Sequence, residues 1–267
     1  MIIKWNVTSG LNKYKTSDVL ILSVGKSGRT WLRVLLNKYL SLHYNVPFEL
    51  CDLRKFNKKI PSLLFSHELW LHFSDASWIQ RILGKYIIPD NILVKKKIIL
   101  LSRDPRDIVV SLYYQKTKRS KKKIACDMNE FIKHKRYGIR TVVNVMNIWH
   151  RRLNKHPQCL LIRYEDMKRD APGELMRLLI FLGIENINID SVREAVAFAD
   201  FDNMKRMELK GEFHSRVLMP SDPSDPHSFK VREGKVGGYI RHFCESDSQY
   251  LDDAVKMLAQ HYRYGNR

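Results

Sequence analysis

Apolar residues along this chain follow two rhythms. Short unbroken runs, Val19-Leu20-Ile21-Leu22, Ile98-Ile99-Leu100-Leu101 and Leu160-Leu161-Ile162, stand between polar neighbours. Such runs read as strands buried on both faces, the pattern of a parallel sheet. The spacing predicts strands over 18–24, 62–67, 97–102 and 159–163. Between them the period lengthens. Trp31, Leu32, Leu35, Leu36, Tyr39 and Leu40 recur at helical spacing, so a helix is expected from Gly28 to about His43. Further helices are predicted from Asp104 to about Gln115, over 138–155, 172–182 and 190–199, and from about 247 to 262. Asp104 suits an N-cap with Pro105 at the first helical position, and Gly183 suits a C-cap.

Strands alternating with helices indicate an α/β protein: one domain spanning 1–267, with a central, mostly parallel β-sheet flanked by helices. Lys210 to Arg232 breaks the rhythm. It holds Pro220, Pro223 and Pro226 with Asp222 and Asp225 between them, and is expected to form a long loop, a lid over about 208–232.

Composition narrows the class. Hydrophobic residues make up 44% of the chain, yet no run approaches ~20 apolar residues, so no membrane span is expected. The start, Met1 to Val7, is too short and polar for a signal peptide. Cys51, Cys126, Cys159 and Cys244 are scattered without a CxxC pair, which suits reduced thiols in a cytoplasmic protein. The net charge of +19 favours an anionic partner: a polyanionic cofactor, an acidic acceptor or membrane surface, or nucleic acid. Lys95-Lys96-Lys97 reads as the flank of a strand, and Lys116 to Lys123 as an exposed loop. No helix-turn-helix, RNP or zinc-finger pattern is present, so no specific nucleic-acid partner is expected. No His/Cys/Asp cluster has metal-ligand spacing. His67-Glu68 does not begin HExxH, because Leu71 stands where the second His belongs.

The candidate chemistry lies at strand ends. Gly25-Lys26-Ser27-Gly28-Arg29-Thr30-Trp31 follows the first strand and opens a helix, where free N–H groups and the helix dipole favour an anion. The loop is P-loop-like but is not a Walker A motif, because Leu20 stands where the first glycine belongs. After the third strand, Arg103 and Ser111 are placed to converge on a second anion. His67 ends the second strand, beside the crevice expected of an open α/β sheet, and suits a general base.

The first loop resembles the 5′-phosphosulfate loop of the sulfotransferases that use 3′-phosphoadenosine 5′-phosphosulfate (PAPS), whose pattern is Pro-Lys-Ser-Gly-Thr-Thr-Trp. Gly25 replaces the Pro and Arg29 the first Thr. Arg103-Asp104-Pro105-Arg106-Asp107 with Ser111 has every fixed position of the family's 3′-phosphate segment. Arg163-Tyr164-Glu165-Asp166, Phe201-Asp202-Asn203-Met204-Lys205 and Arg232-Glu233-Gly234 resemble three further family segments, in order. The resemblance implies a nucleotide-binding core over about 18–170 and 200–240. Lys26, Ser27, Gly28, Arg29 and Thr30 would hold the phosphosulfate. Arg103, Ser111, Arg232 and Gly234 would hold the 3′-phosphate, with Lys235 compensating for Glu233, which replaces a family Lys. Trp31 and Phe201 would border adenine, with Tyr164 near the nucleotide. His67 matches the catalytic His of the family's Lys-Thr-His segment, with Phe65 in place of the Lys, and Lys26 would stabilise the leaving group.

The implied activity is sulfuryl transfer from PAPS, without a metal, to a hydroxyl or amine of a small-molecule or saccharide acceptor. The acceptor pocket would involve 43–80 and 205–230, where Trp70, Phe73 and Trp78, with Tyr86 just beyond, offer aromatic walls. The family's dimerisation segment is not found near Phe243-Cys244-Glu245, so the oligomeric state stays open. Two rivals remain at this point: a small-molecule or nucleotide kinase with a degenerate phosphate loop, requiring Mg²⁺, and a basic nucleic-acid-binding protein.

Overall fold

The computed structural model describes residues 7–120, 122–213, 222, 225 and 228–264, apart from the side chains of 7–10. Four strands, β1 (Val19–Ser23), β2 (Leu63–Ser66), β3 (Lys97–Ser102) and β4 (Cys159–Arg163), pair in the order β2-β1-β3-β4. All three pairings are parallel. The chain steps outward from β1 to one side and then from β3 to the other. The crevice at this switch point lies beyond the carboxyl ends of the central strands.

The helices before β3 are α1 (Val7–Thr16), α2 (Arg29–His43), α3 (Glu68–Ser74), α4 (Trp78–Ile82) and α5 (Asp90–Leu93). Between β3 and β4 lie α6 (Pro105–Tyr114), α7 (Met128–Lys133) and α8 (Ile139–Leu153). After β4 come α9 (Tyr164–Arg169), α10 (Ala171–Leu182), α11 (Ile189–Phe198), α12 (Phe201–Lys210) and α13 (Glu245–Lys256).

Alternation along the strands builds two cores. Leu20, Leu22, Ile98 and Leu100 pack with residues of α6, α8 and α13, including the buried Trp149. Val19, Ile21, Ile99 and Leu101 face the other way, toward α2, α10 and α11. Both faces of the sheet are covered, as the uninterrupted apolar strands require.

The expected elements are present with small shifts. Asp104 caps α6 by accepting the Arg106 amide at 2.9 Å. Gly183 closes α10 in the left-handed region at φ 83°. The last helix starts earlier than expected and stops at Lys256, followed by a short turn over Gln260–Tyr262. The stretch expected as a lid over about 208–232 overlaps the end of α12, which runs to Lys210 and is capped by Gly211 in the left-handed region. Residues 214–221, 223, 224, 226 and 227 of that lid lie outside the described residues.

Candidate active site

Each strand delivers one chemical group at its carboxyl end. β1 runs into the Gly25–Gly28 loop, β2 ends beside His67, β3 beside Arg103 and β4 at Tyr164. They meet at a cavity of about 370 Å³. Every residue predicted for the site lines this cavity except Ser27. Ser27 is 1% exposed and its hydroxyl donates to the Val24 carbonyl at 3.0 Å, so its side chain ties the loop instead.

The loop is shaped by its backbone. Lys26 and Gly28 both take positive φ, 73° and 94°. A Cβ on Gly28 would sit 2.5 Å from Tyr164 Cδ2, so glycine lets the Tyr164 ring lie against the loop. No side chain caps the first turn of α2, which leaves its amides and positive dipole end for an anion. Lys26 Nζ donates to Gln115 Oε1 at 3.3 Å. Its pKa is pushed well down, first by burial and then by the charges of Lys230, Arg119, Arg103 and Arg232.

Beside the loop, the Arg29 guanidinium donates to His67 Nδ1. Burial, then Arg29 and Lys230, hold the His67 pKa down to about 3. Lys230 falls to about 7, through burial and the charges of Arg119, Arg29 and Arg33, against which Glu208 pulls upward. Phe65, at the position of the family lysine, lies outside this cavity and lines another one, with the Arg33 guanidinium 4.3 Å from its ring centroid.

The far end is assembled from three segments. Arg103 stacks on Tyr164 at 4.3 Å, donates to the Lys235 carbonyl at 3.0 Å, and lies 3.6 Å from Asp107. Its Nε is buried without a hydrogen-bond partner. Asp107 accepts the amides of Gly237 and Tyr239 at 2.9 and 3.1 Å. Glu208, fully buried, accepts those of Lys230 and Val231 at 2.7 and 2.8 Å. These two carboxylates staple the 230–239 segment across the crevice with charge-assisted hydrogen bonds. Arg232 stacks on Tyr114 at 3.9 Å and pairs with Glu233, which also holds Arg241 at 2.6 Å. Between the ends, Trp31 meets Tyr164 edge-on at 5.4 Å. Lys168 Nζ lies 5.0 Å from the Trp31 ring and 5.7 Å from that of Phe201. Gly234, at φ 60°, passes so close to Phe201 that a Cβ would lie 2.6 Å from Cδ2.

Sequence reasoning missed Lys230, Gln115, Lys168 and Glu208. Lys168 sits one helical turn beyond Tyr164 and was open to discovery once α9 was assigned. The Lys116–Lys123 run is not simply an exposed loop. Residues Gln115–Arg119 form a π-helical turn and Lys116 pairs with Asp75 at 2.9 Å. Lys96 and Lys97 likewise do more than flank β3, donating to the carbonyls of Lys15, Ser17, Phe181 and Leu182. Of the expected acceptor aromatics, Trp70 lines the cavity, Phe73 packs on the core and Trp78 is 71% exposed. Among the described residues, no group of three or more His, Cys, Asp or Glu is arranged to hold a metal, and no helix is long and apolar enough to cross a membrane.

A cavity lined by Lys26, Arg29, Arg103, Lys230 and Arg232 together with the rings of Trp31, Tyr164 and Phe201 suits a polyanion with a flat group. The fold is shared with mouse sulfotransferase SULT7A1 complexed with PAP, at a TM-score of 0.61 and 21% identity, covering 90% of this chain and 82% of that one. It is also shared with retinol dehydratase in complex with androsterone and the inactive cofactor PAP, at 0.60 and 17%, covering 92% and 82%. In sequence the chain is 23% identical over 258 residues to cytosolic sulfotransferase 12 of Arabidopsis thaliana, covering 91% of this chain and 77% of the relative. It is 24% identical over 264 residues to human sulfotransferase 2B1, covering 91% and 66%. Residues 16–263 match the sulfotransferase domain, and the chain belongs to that family.

Proposed function

We propose that this protein transfers the sulfuryl group of PAPS to a hydroxyl or amine of a small-molecule or saccharide acceptor. The observation that carries this reading is that Lys26 and Arg29 of the loop and Arg103 and Arg232 line one crevice together with Trp31, Tyr164 and Phe201. PAPS, when bound, supplies an activated sulfuryl group on its 5′-phosphate. Lys26 and the first-turn amides of α2 hold that end. Arg103, Ser111 and Arg232 hold the 3′-phosphate, and the rings of Trp31 and Phe201 border the base. The Lys26 ammonium would offset the negative charge that develops on the leaving oxygen.

His67 takes the proton of the acceptor at Nδ1. A guanidinium only donates, so the contact with Arg29 makes Nδ1 the acceptor nitrogen, and the neutral ring keeps its hydrogen on Nε2. An anion held in the loop would draw the Arg29 guanidinium away from Nδ1. It would raise the His67 pKa from about 3 by offsetting the adjacent positive charge, while burial, the larger cause of the depression, would remain.

The retinol dehydratase complex with androsterone supports a small-molecule acceptor, and the net charge of +19 supports an acidic one. The four free cysteines, together with relatives named as cytosolic, support a cytoplasmic enzyme. The kinase reading is not favoured by the family match.

Calorimetric titration with PAP, against adenosine 5′-phosphate and with EDTA present, tests the reading. Binding that depends on the 3′-phosphate and ignores EDTA is expected. Equal affinity for the two nucleotides would undo the roles of Arg103 and Ser111, and a magnesium requirement would revive the kinase.

A further inference from the structure

Outside the cavity, α4 and the turn after it carry a cluster of exposed apolar side chains. Trp78 is 71% exposed, Ile79 51%, Ile82 75% and Leu83 62%, with Ile87 at 40%. Trp78 and Ile82 lie one turn apart, as do Ile79 and Leu83, so the four form one stripe. The Ile87 amide donates to the Gly84 carbonyl at 3.1 Å and folds the next residues back toward the end of that stripe. The exposure is built in. Ser77 and Gln80 form a capping box on α4, and Arg81 donates to the carbonyls of His72 and Phe73, pinning the helix to α3.

Clustered apolar exposure of this kind marks a docking surface, and the charges around it select the partner. No Asp or Glu occurs from 76 to 89, and Lys85 is exposed beside the stripe; the flanking Asp75 and Asp90 are each paired with a cation, Lys116 and Arg152. Two copies of a chain with a net charge of +19 repel each other at long range, whereas an anionic surface attracts both. Trp78 with branched aliphatic neighbours and an adjacent lysine is the composition of an interfacial membrane contact. We propose that this face docks on anionic lipid bilayers. Trp78, Ile79, Ile82 and Leu83 enter the headgroup layer, and Lys85 meets the anionic headgroups. The docking stands whatever the cavity binds. It brings α3, which lines the cavity with Trp70 and Leu71, within one helix of the lipid.

Co-sedimentation with vesicles of phosphatidylcholine and phosphatidylserine, against phosphatidylcholine alone, tests this. The protein is expected to partition onto the anionic vesicles. Brominated lipid should quench its tryptophan emission, and Trp78→Phe should remove that quenching. Ile82→Asp with Leu83→Asp should weaken partition by about tenfold or more. The milder Ile79→Ser should weaken it less, with near-ultraviolet circular dichroism unchanged. Vesicle binding that salt abolishes but none of these substitutions alters would reduce the effect to general surface charge and overturn the proposal. So would an absence of vesicle binding together with a concentration-dependent dimer that the substitutions dissolve.

Discussion

The two ends of the cavity are both cationic, yet they handle their charge in opposite ways. At the loop end, Lys26 and Arg29 make their hydrogen bonds to neutral partners, Gln115 and His67. At the far end, Arg103 lies beside Asp107 and Arg232 pairs with Glu233. Burial first, and neighbouring cations second, push down the pKa values of Lys26 and Arg29, the latter to about 10. Burial lowers that of Arg232 as well, but there Glu233 pulls against it. Uncompensated charge is of most use where negative charge builds up during a reaction, because its full effect is felt only then. Compensated charge holds its geometry before the ligand arrives, which suits an anchor for a group whose charge stays constant. On the proposed function, the loop end would serve the chemistry and the far end recognition.

The largest effect expected of this division is at His67. His67→Ala should lower kcat by about 10²–10⁴-fold while leaving PAP affinity in calorimetry near normal. A kcat close to the wild-type value would remove His67 from the chemistry. A matched pair of variants sharpens the contrast between the ends. Lys26→Met should cost about 10²–10³-fold in kcat. Arg103→Met should weaken PAP binding by about 1.5–3 kcal/mol and largely spare kcat at saturation. The reverse pattern, measured by steady-state kinetics and titration, would break the comparison.

A smaller signature is protonic. Lys230 is held at about 7 against an ordinary 10.5. Between those values the unfolded chain keeps a proton that the folded protein has lost, so ligand-free stability should rise as pH climbs from about 7 toward 10.5. An anion in the cavity restores the charge. Near pH 8, PAP binding should take up as much as about one proton, read as a dependence of binding enthalpy on the ionisation enthalpy of the buffer. Lys230→Met should abolish most of this uptake, and unchanged uptake in that variant would detach it from Lys230. The smallest effect belongs to Glu233. Glu233→Gln frees Arg232 and should tighten PAP binding by a few-fold, about 0.2–1 kcal/mol. Weaker binding would show that Glu233 orients Arg232 instead of competing for it.

The same contrast runs through what the chain discloses before folding. The loop end is local: strand, glycines, lysine and helix start lie within Val19 to Trp31, and each is a short-range signal. Arg103 and Ser111 are legible for the same reason, sharing one helix start with its cap and proline. Lys230 was hidden because it is placed by Glu208, a carboxylate 22 residues away on α12 whose burial no periodicity announces. Phe201 was legible as a motif, but its helix was not, because α12 carries mostly polar residues. The exposure of Trp78 was not legible, because aromatic composition does not distinguish a pocket wall from an exposed face; only the packing of α4 on α3 does.

The staple between Asp107 and the amides of Gly237 and Tyr239 spans 130 and 132 residues. A chain still emerging from the ribosome at Gly211 would hold all four strands and the complete phosphate loop, but not the segment that Asp107 captures. Ligand stabilisation of the native state requires a formed site. A ligand of this crevice would therefore have no complete site to stabilise until Tyr239 has been added. All four strands would be synthesised before any such ligand could help hold the fold.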